Sequence, residues 1–75
     1  MKIRLNGDSH ELAAPLTVTA LLAELGIDSR RVAVEHNQIV VKRAAYEDTL
    51  VNEGDEVEIV NFVGGGSVNP LKEWQ

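Results

Sequence analysis

The residues of this chain best suited to chemistry are three consecutive glycines, Gly64, Gly65 and Gly66, which follow the strand-like run of residues 57–63. Glycine has no side chain to react, and it loses more backbone entropy on ordering than any other residue. A run of glycines therefore resists regular structure, but it is slim enough to enter a narrow channel of another protein. At the end of a compact acidic domain, this run indicates that the backbone carboxyl of the last glycine is the reactive group.

Nine further residues, from Ser67 to Gln75, follow the glycines and set a condition on this hypothesis. While Gly66 is joined to Ser67 by a peptide bond, it has no free carboxylate. Three interpretations of the segment stay open: a precursor tail that a protease removes, an artificial or reading-frame extension, or a protein that acts only by binding. For the glycines themselves, a flexible linker is the competing interpretation.

The remaining polar residues give little support to conventional catalysis. His10 and His36 are the only histidines, and neither has a sequence-visible acid and nucleophile of the kind that a catalytic triad needs. Their spacing relative to the carboxylates matches no metal site. The glycine run lacks the Lys-Ser/Thr ending and the following helix of a phosphate-binding loop. The sequence therefore predicts neither a catalytic nor a metal site.

Size and composition predict one small cytoplasmic domain. The 75 residues leave no room for a second domain, and the lack of cysteine excludes disulfides and a cysteine nucleophile. The N-terminus has no signal-peptide pattern, and no apolar run approaches the roughly 20 residues that span a bilayer. A short edge strand with charged neighbours favours a monomer when the protein is free.

Negative charge is concentrated in the second half of the chain. The net charge is −5, and one stretch without lysine or arginine contains Glu47, Asp48, Glu53, Asp55, Glu56 and Glu58. Such a surface repels nucleic acid and anionic membranes, and it favours a partner with a basic surface. Solubility alone is the alternative explanation.

Periodicity predicts several strands around a single helix. Residues 2–5 alternate like a half-buried strand, and Asn6-Gly7 predicts a hairpin turn because both residues tolerate positive φ. Residues 8–12 form the returning strand. Further strands are predicted at residues 32–35, 39–41 and 56–59.

The helix is predicted to begin after Thr17, whose hydroxyl suits an N-cap. One helical face is apolar, with Val18, Leu21, Leu22 and Leu25 at positions i, i+3, i+4 and i+7. Gly26 suits the left-handed position just past the end. Tyr46 and Leu50 are expected to reach the core from a loop. Strands around one helix predict an α+β layer pair, a sheet covered on one face.

Six short segments, taken in their order and spacing, are typical of one known family. They are Leu5-Asn6-Gly7, residues 17–22, residues 32–37, Ile39-Val40, residues 54–60 and residues 62–66. With them, residues 1–66 resemble the ubiquitin-like sulfur-carrier proteins, and among these the ThiS-type carriers of thiamine biosynthesis. The resemblance implies a β-grasp (ubiquitin-like) fold for residues 1–63, with a four- to five-stranded mixed sheet and one main helix on one face. Residues 64–75 are then a flexible glycine-rich tail with a C-terminal extension.

The resemblance also implies a chemistry for the chain end. In this family an adenylating, E1-like activating enzyme uses ATP and magnesium to adenylate the carboxylate of the terminal glycine. A sulfur donor such as a cysteine desulfurase then allows conversion to a thiocarboxylate, which thiazole synthase takes as its sulfur source. The chain is thereby expected to be a protein cosubstrate and not an enzyme, with no cofactor bound stably.

Carried over by position, the resemblance makes Gly66 the modified residue, with Gly64 and Gly65 passing into the partner's channel. Phe62 and Val63 would be apolar anchors beside the tail, although a core position for Phe62 is an equal alternative. The acids Glu53, Asp55, Glu56 and Glu58 would steer docking. Two other functions stay open: a carrier like the small subunit of molybdopterin synthase, and a ubiquitin-like module that binds non-covalently through its sheet face.

Overall fold

One α-helix and eight β-strands form the described part of the chain, which comprises residues 1–63 and 67–70 of a computed structural model. In chain order the elements are β1 (Lys2–Leu5), β2 (Asp8–Glu11), β3 (Leu16–Thr17), α1 (Val18–Glu24), β4 (Val32–His36), β5 (Ile39–Val41), β6 (Leu50–Val51), β7 (Glu56–Val63) and β8 (Ser67–Pro70). Single 3₁₀ turns lie at Ser29–Arg31 and Arg43–Ala45. No helix in this part of the chain is long and apolar enough to cross a membrane.

The main sheet is mixed, with strand order β2-β1-β7-β4-β5 and β8 added alongside β7. β1 and β7 pair in parallel, whereas the hairpins β1–β2 and β4–β5 and the pair β4–β7 are antiparallel. β3 and β6 form a separate two-stranded ladder. The predicted α+β architecture is confirmed, and the last long strand lies in the centre of the sheet.

Two tight turns close the hairpins, and the first of them is the turn that the sequence predicts. Asn6 and Gly7 both have positive φ, 50° and 86°, between β1 and β2. Asn37 and Gln38, with φ of 52° and 70°, do the same between β4 and β5. Two successive positive φ angles match the right-handed twist of the paired strands, which is why Asn-Gly is favoured there.

The helix begins and ends at the predicted residues. Thr17 is the N-cap, and its hydroxyl accepts a hydrogen bond from the Ala20 amide at 3.1 Å. Leu25 caps the other end, and Gly26 follows with φ +74°. A helix of seven residues is too short to be stable alone. Its stability comes from burying one face on the sheet.

The core lies between that helix face and the sheet. Its buried side chains are all apolar apart from one tyrosine hydroxyl: Ile3, Leu12, Val18, Leu21, Leu22, Ile27, Val32, Val34, Tyr46, Val51, Val57 and Ile59. The Tyr46 hydroxyl donates to the Val32 carbonyl at 3.3 Å. Burying an aliphatic side chain of this size contributes about 1.5–3 kcal/mol, so the core gives the sheet a fixed face and a fixed register.

One sequence prediction about the second half of the chain differs from the structure. Leu50 was expected in the core, but it is 47% exposed, and Val51 is buried in its place. The prediction is wrong because β6 is a strand, so its two successive side chains point to opposite sides.

Within the segment predicted to be a glycine-rich tail with an extension, Ser67–Pro70 forms a strand on β7. The flexibility of this tail stays a prediction. Residues 64–66 and 71–75 lie outside the described part of the chain.

Candidate functional site

The open face of the sheet, on the side away from the helix, carries the acids of β7. Val57 and Ile59 are buried against the core. Successive side chains of a strand point to opposite faces, so Glu56 and Glu58 point away from the helix, and both are exposed. Two of the four acids predicted to steer docking therefore share one surface.

A third acid, Glu35 of β4, joins them on this face. The register of β4 and β7 places Glu35 directly opposite Glu58, and both side chains are exposed. Like charges directly opposite each other destabilise a sheet. Sequence reasoning missed Glu35, because only the register of two strands far apart in the chain brings it beside Glu58. We call Glu35, Glu56 and Glu58 the acidic face.

A basic and an exposed apolar side chain lie next to the acidic face. Arg4 of β1 lies opposite Glu56, and Val40 of β5 lies opposite Glu35 with 66% of its surface exposed. The face therefore offers carboxylates next to an exposed aliphatic side chain. Such a surface suits a partner that presents basic and apolar groups together.

The other two predicted acids lie in the loop between β6 and β7 and bind within the chain. Glu53 Oε1 accepts the Lys2 amide at 3.0 Å. The Asp55 side chain accepts the Asn52 amide at 2.8 Å and lies 2.7 Å from His36 Nε2. Asp55 thus belongs to a hydrogen-bond network that connects this loop to the β4–β5 turn. Asp55 does not lie on the acidic face.

Asn6 holds the middle of β7 in place from the first hairpin turn. Its Oδ1 accepts the Ile59 amide at 2.7 Å, and its Nδ2 donates to the Ile59 carbonyl at 3.2 Å. The side-chain amide thereby replaces the backbone amide that a longer β1 would offer. The Asn-Gly pair predicts the turn, but no local signal indicates this second role, since the two partners are 53 residues apart.

Comparison with known proteins assigns the chain to a family. The family model described as ThiS family matches residues 3–66, most of the chain and all three glycines. This chain belongs to the ThiS family.

Curated relatives of this ThiS-family chain include two kinds of protein. A protein named thiazole synthase from Paramagnetospirillum magneticum is 52% identical over 89% of this chain, which covers 21% of that protein. Sulfur carrier protein ThiS from Bacillus subtilis is 36% identical over 67% of this chain and 76% of its own length. The chain spans only about a fifth of the length of the thiazole synthases that it matches.

A solved structure supports the fold of the ThiS-family domain. The crystal structure of the thiamine biosynthesis protein ThiS from Geobacter metallireducens superposes with a TM-score of 0.79 at 39% identity. The match covers 88% of this chain and 100% of that chain. The predicted β-grasp fold is thereby confirmed.

The tail residues predicted to be functional fall largely outside the described part of this ThiS-family chain. Phe62 and Val63 end β7, so their backbone is placed beside the acidic face, while their predicted anchoring role stays a prediction. Gly64, Gly65 and Gly66 lie outside the described residues. Among the residues that are described, no group of three or more His, Cys, Asp or Glu side chains is placed to hold a metal ion.

The pKa of Asp55 is set by competing effects. Partial burial of the carboxylate raises it, but hydrogen bonds from the Asn52 amide, His36 and Asn37 together outweigh burial, so the pKa of Asp55 lies below its ordinary value of 3.8. A carboxylate whose pKa is lower in the folded state stabilises the fold above its unfolded pKa. That contribution disappears as the pH falls through the lower, folded-state pKa.

We expect Asp55→Asn to lower the free energy of unfolding by about 1–2 kcal/mol at pH 7, because charge-assisted hydrogen bonds are lost. The difference from the unaltered protein should shrink as the pH falls from 3.8 through the lower pKa of the folded state, where the unaltered carboxyl also becomes protonated. Urea unfolding at a series of pH values measures both the loss of stability at pH 7 and its decrease at low pH. Glu53→Gln is the matched control, since its hydrogen bond is exposed, and it should change stability little. A constant gap between the Asp55 variant and the unaltered protein at all pH values would contradict this account.

Proposed function

We propose that this chain is a sulfur carrier for the synthesis of the thiazole ring of thiamine. Its reactive group is the carboxyl of Gly66. This carboxyl is free only when the peptide bond between Gly66 and Ser67 has been hydrolysed or was never formed. The observation that carries the proposal is the ThiS family match, which continues through residue 66 and so includes the glycines. The chain acts as a protein cosubstrate and not as an enzyme, and its expected cytoplasmic location stays a prediction.

The chemistry needs two displacement steps at this carboxyl. A carboxylate is a poor electrophile, so its oxygen first attacks the α-phosphorus of ATP in the activating enzyme, with magnesium bound to the phosphates, and pyrophosphate leaves. The terminal sulfur of a persulfide, supplied by a donor such as a cysteine desulfurase, then attacks the acyl carbon and AMP leaves. A thiol cleaves the S–S bond of the acyl disulfide so formed, which releases the thiocarboxylate and leaves a disulfide on the donor side. The thiocarboxylate that results holds sulfur on the protein until thiazole synthase takes it.

The surface of the domain fits a carrier that docks repeatedly on larger partners. Two of the three residues of the acidic face, Glu56 and Glu58, lie on β7, the strand that leads into the glycines, so a partner that binds this face receives the chain end beside it. Opposite charge on the partner would raise the association rate and orient the encounter. The names of two relatives support thiazole synthase as one of these partners. The adenylating enzyme is the partner that the proposed chemistry itself requires.

The test compares the full chain with a chain that ends at Gly66. Each is incubated with a ThiS-activating enzyme, ATP, magnesium and a sulfur donor, and its intact mass is measured. We expect only the shorter chain to gain the mass difference between sulfur and oxygen. The full chain should stay unmodified, because its Gly66 has no free carboxylate.

A third chain, ending at Gly65, controls for the position of the reactive carboxyl. It retains the whole β-grasp domain, so it should bind the activating enzyme but react much more slowly. If the chain ending at Gly66 releases no pyrophosphate and gains no mass, it is not a carrier. Binding to the partner without reaction would then favour a non-covalent ubiquitin-like module.

A further inference from the structure

One edge of β7 is divided among three different partners along its length. At its start, β1 pairs with it through Arg4 and Leu5, opposite Glu56 and Val57. In the middle, the Asn6 side chain takes both backbone groups of Ile59. From Val60 onward, β8 occupies the edge. Beyond Asn6, the first hairpin therefore contributes nothing to this edge.

The direction of the backbone groups shows how β8 is held. The carbonyl of Val57 accepts the Asn6 amide, so Val57 and Ile59 both direct backbone groups to this edge. Because the backbone N–H and C=O groups of successive residues point to opposite edges of a strand, those of Asn61 and Val63 also point to this edge. The register opposes Asn61 to Asn69 and Val63 to Ser67, so these are the hydrogen-bonded pairs of the ladder.

Pro70 fits this arrangement because it lies at a position where no donor is needed. It is opposite Val60, whose backbone groups point the other way, toward β4. Proline lacks an N–H and is accepted in edge strands only where the ladder does not need one. The segment Ser67–Pro70 thus meets the backbone requirements of the edge at each of its four positions.

We propose that the edge of β7 from Val60 to Val63 is a binding site for one extended, antiparallel peptide segment, and that Ser67–Pro70 is its in-chain occupant. Addition of a strand to an exposed sheet edge is a general mode of peptide recognition, with affinity from main-chain hydrogen bonds. Here the occupant follows the edge in the same chain, so its effective concentration is high.

The bound segment opposes delivery of the chain end to a partner. Paired residues lie about 5.5 Å apart at most, so Ser67 is held next to Val63. If the chain from Val63 to Ser67 were extended, these two residues, four positions apart, would be separated by about 13 Å. A chain held in this way cannot also extend into a partner's channel, and the segment must leave the edge first. This consequence, unlike the binding site itself, rests on the proposed carrier function.

Two proline substitutions in the full chain test the site. Asn69→Pro removes an N–H that donates to β7, whereas the matched control, Val68→Pro, removes one that points away from it. We expect Asn69→Pro to accelerate hydrogen exchange at the Asn61 and Val63 amides by about tenfold. Val68→Pro should leave both slow. The Val60 amide, which faces β4, should stay protected in every variant, which shows that the domain remains folded.

A second experiment supplies the occupant as a separate molecule. A peptide of residues 67–75 is added to the chain that ends at Gly66, which retains all of the residues that match the ThiS family. The peptide should slow exchange at Asn61 and Val63, and the same peptide with Asn69→Pro should do so much less, because it lacks the N–H that donates to β7. Equal exchange in both proline variants, together with no effect of the peptide, would overturn the site.

The two proposals fail separately, because hydrogen exchange needs no activating enzyme. If the site exists and the chain is a carrier, the peptide should also slow adenylation of the chain ending at Gly66. Protection by the peptide without any effect on adenylation would overturn the inhibitory role and leave the binding site in place.

Discussion

Replacement of Asn6 by alanine is expected to lower the free energy of unfolding by about 2–4 kcal/mol. Two hydrogen bonds to Ile59 are lost, and a backbone group left unpaired in a buried place costs about 1–3 kcal/mol. Ile59 is fully buried, but it lies beside a sheet edge that water can reach, so the lower part of that range applies. Alanine at a φ of 50° adds about 1–2 kcal/mol.

The expected loss is large for a chain of this size, which should have a total stability of roughly 4–11 kcal/mol. Asn6→Gly is the matched control, because glycine adopts positive φ freely and loses only the two hydrogen bonds. Urea unfolding should rank the proteins as unaltered, glycine variant, then alanine variant. If the glycine variant is as stable as the unaltered protein, the Asn6 side chain does not hold β7.

Local pattern was enough to predict the elements on either side of this contact. Alternation predicts β1, and Asn6-Gly7 predicts the turn because its requirement is a property of two neighbouring residues. The helix is predicted equally well, since Thr17 and the apolar stripe that follows it act within two turns. These features depend on nearest neighbours, which the sequence displays directly.

Features that depend on distant pairs could not be predicted in the same way. The amide of Asn6 bonds Ile59 across 53 residues, and the opposition of Glu35 and Glu58 exists only through the β4–β7 register. Strands of two residues, such as β6 with Leu50, are too short to show a period. For the candidate site, the stretch rich in acids was visible in the sequence, but which acids share a face was decided by the sheet.

The second large expected effect is slower docking of a variant of the acidic face. This prediction rests on the proposed carrier function. Glu58→Lys should slow association with the activating enzyme by about tenfold at low ionic strength. Stopped-flow association at low and high salt measures it. The effect should shrink at high salt, because the screening length falls from about 10 Å at 0.1 M to about 3 Å at 1 M.

Glu24→Lys is the matched control for total charge. Glu24 is exposed at the end of α1, on the helix side of the sheet, so the same change in net charge should affect association much less. If both variants slow association equally, net charge and not the acidic face guides docking.

Stability separates a docking role from a structural one. Lysine at position 58 would face Glu35 and turn a like-charge pair into an opposite pair. We therefore expect Glu58→Lys to raise the free energy of unfolding by about 0.2–1 kcal/mol while it weakens association. If Glu58 served only the fold, its replacement would lower the free energy of unfolding of the protein. A gain in stability with a loss of association would mean that the repulsion between Glu35 and Glu58 is retained for a basic partner that relieves it.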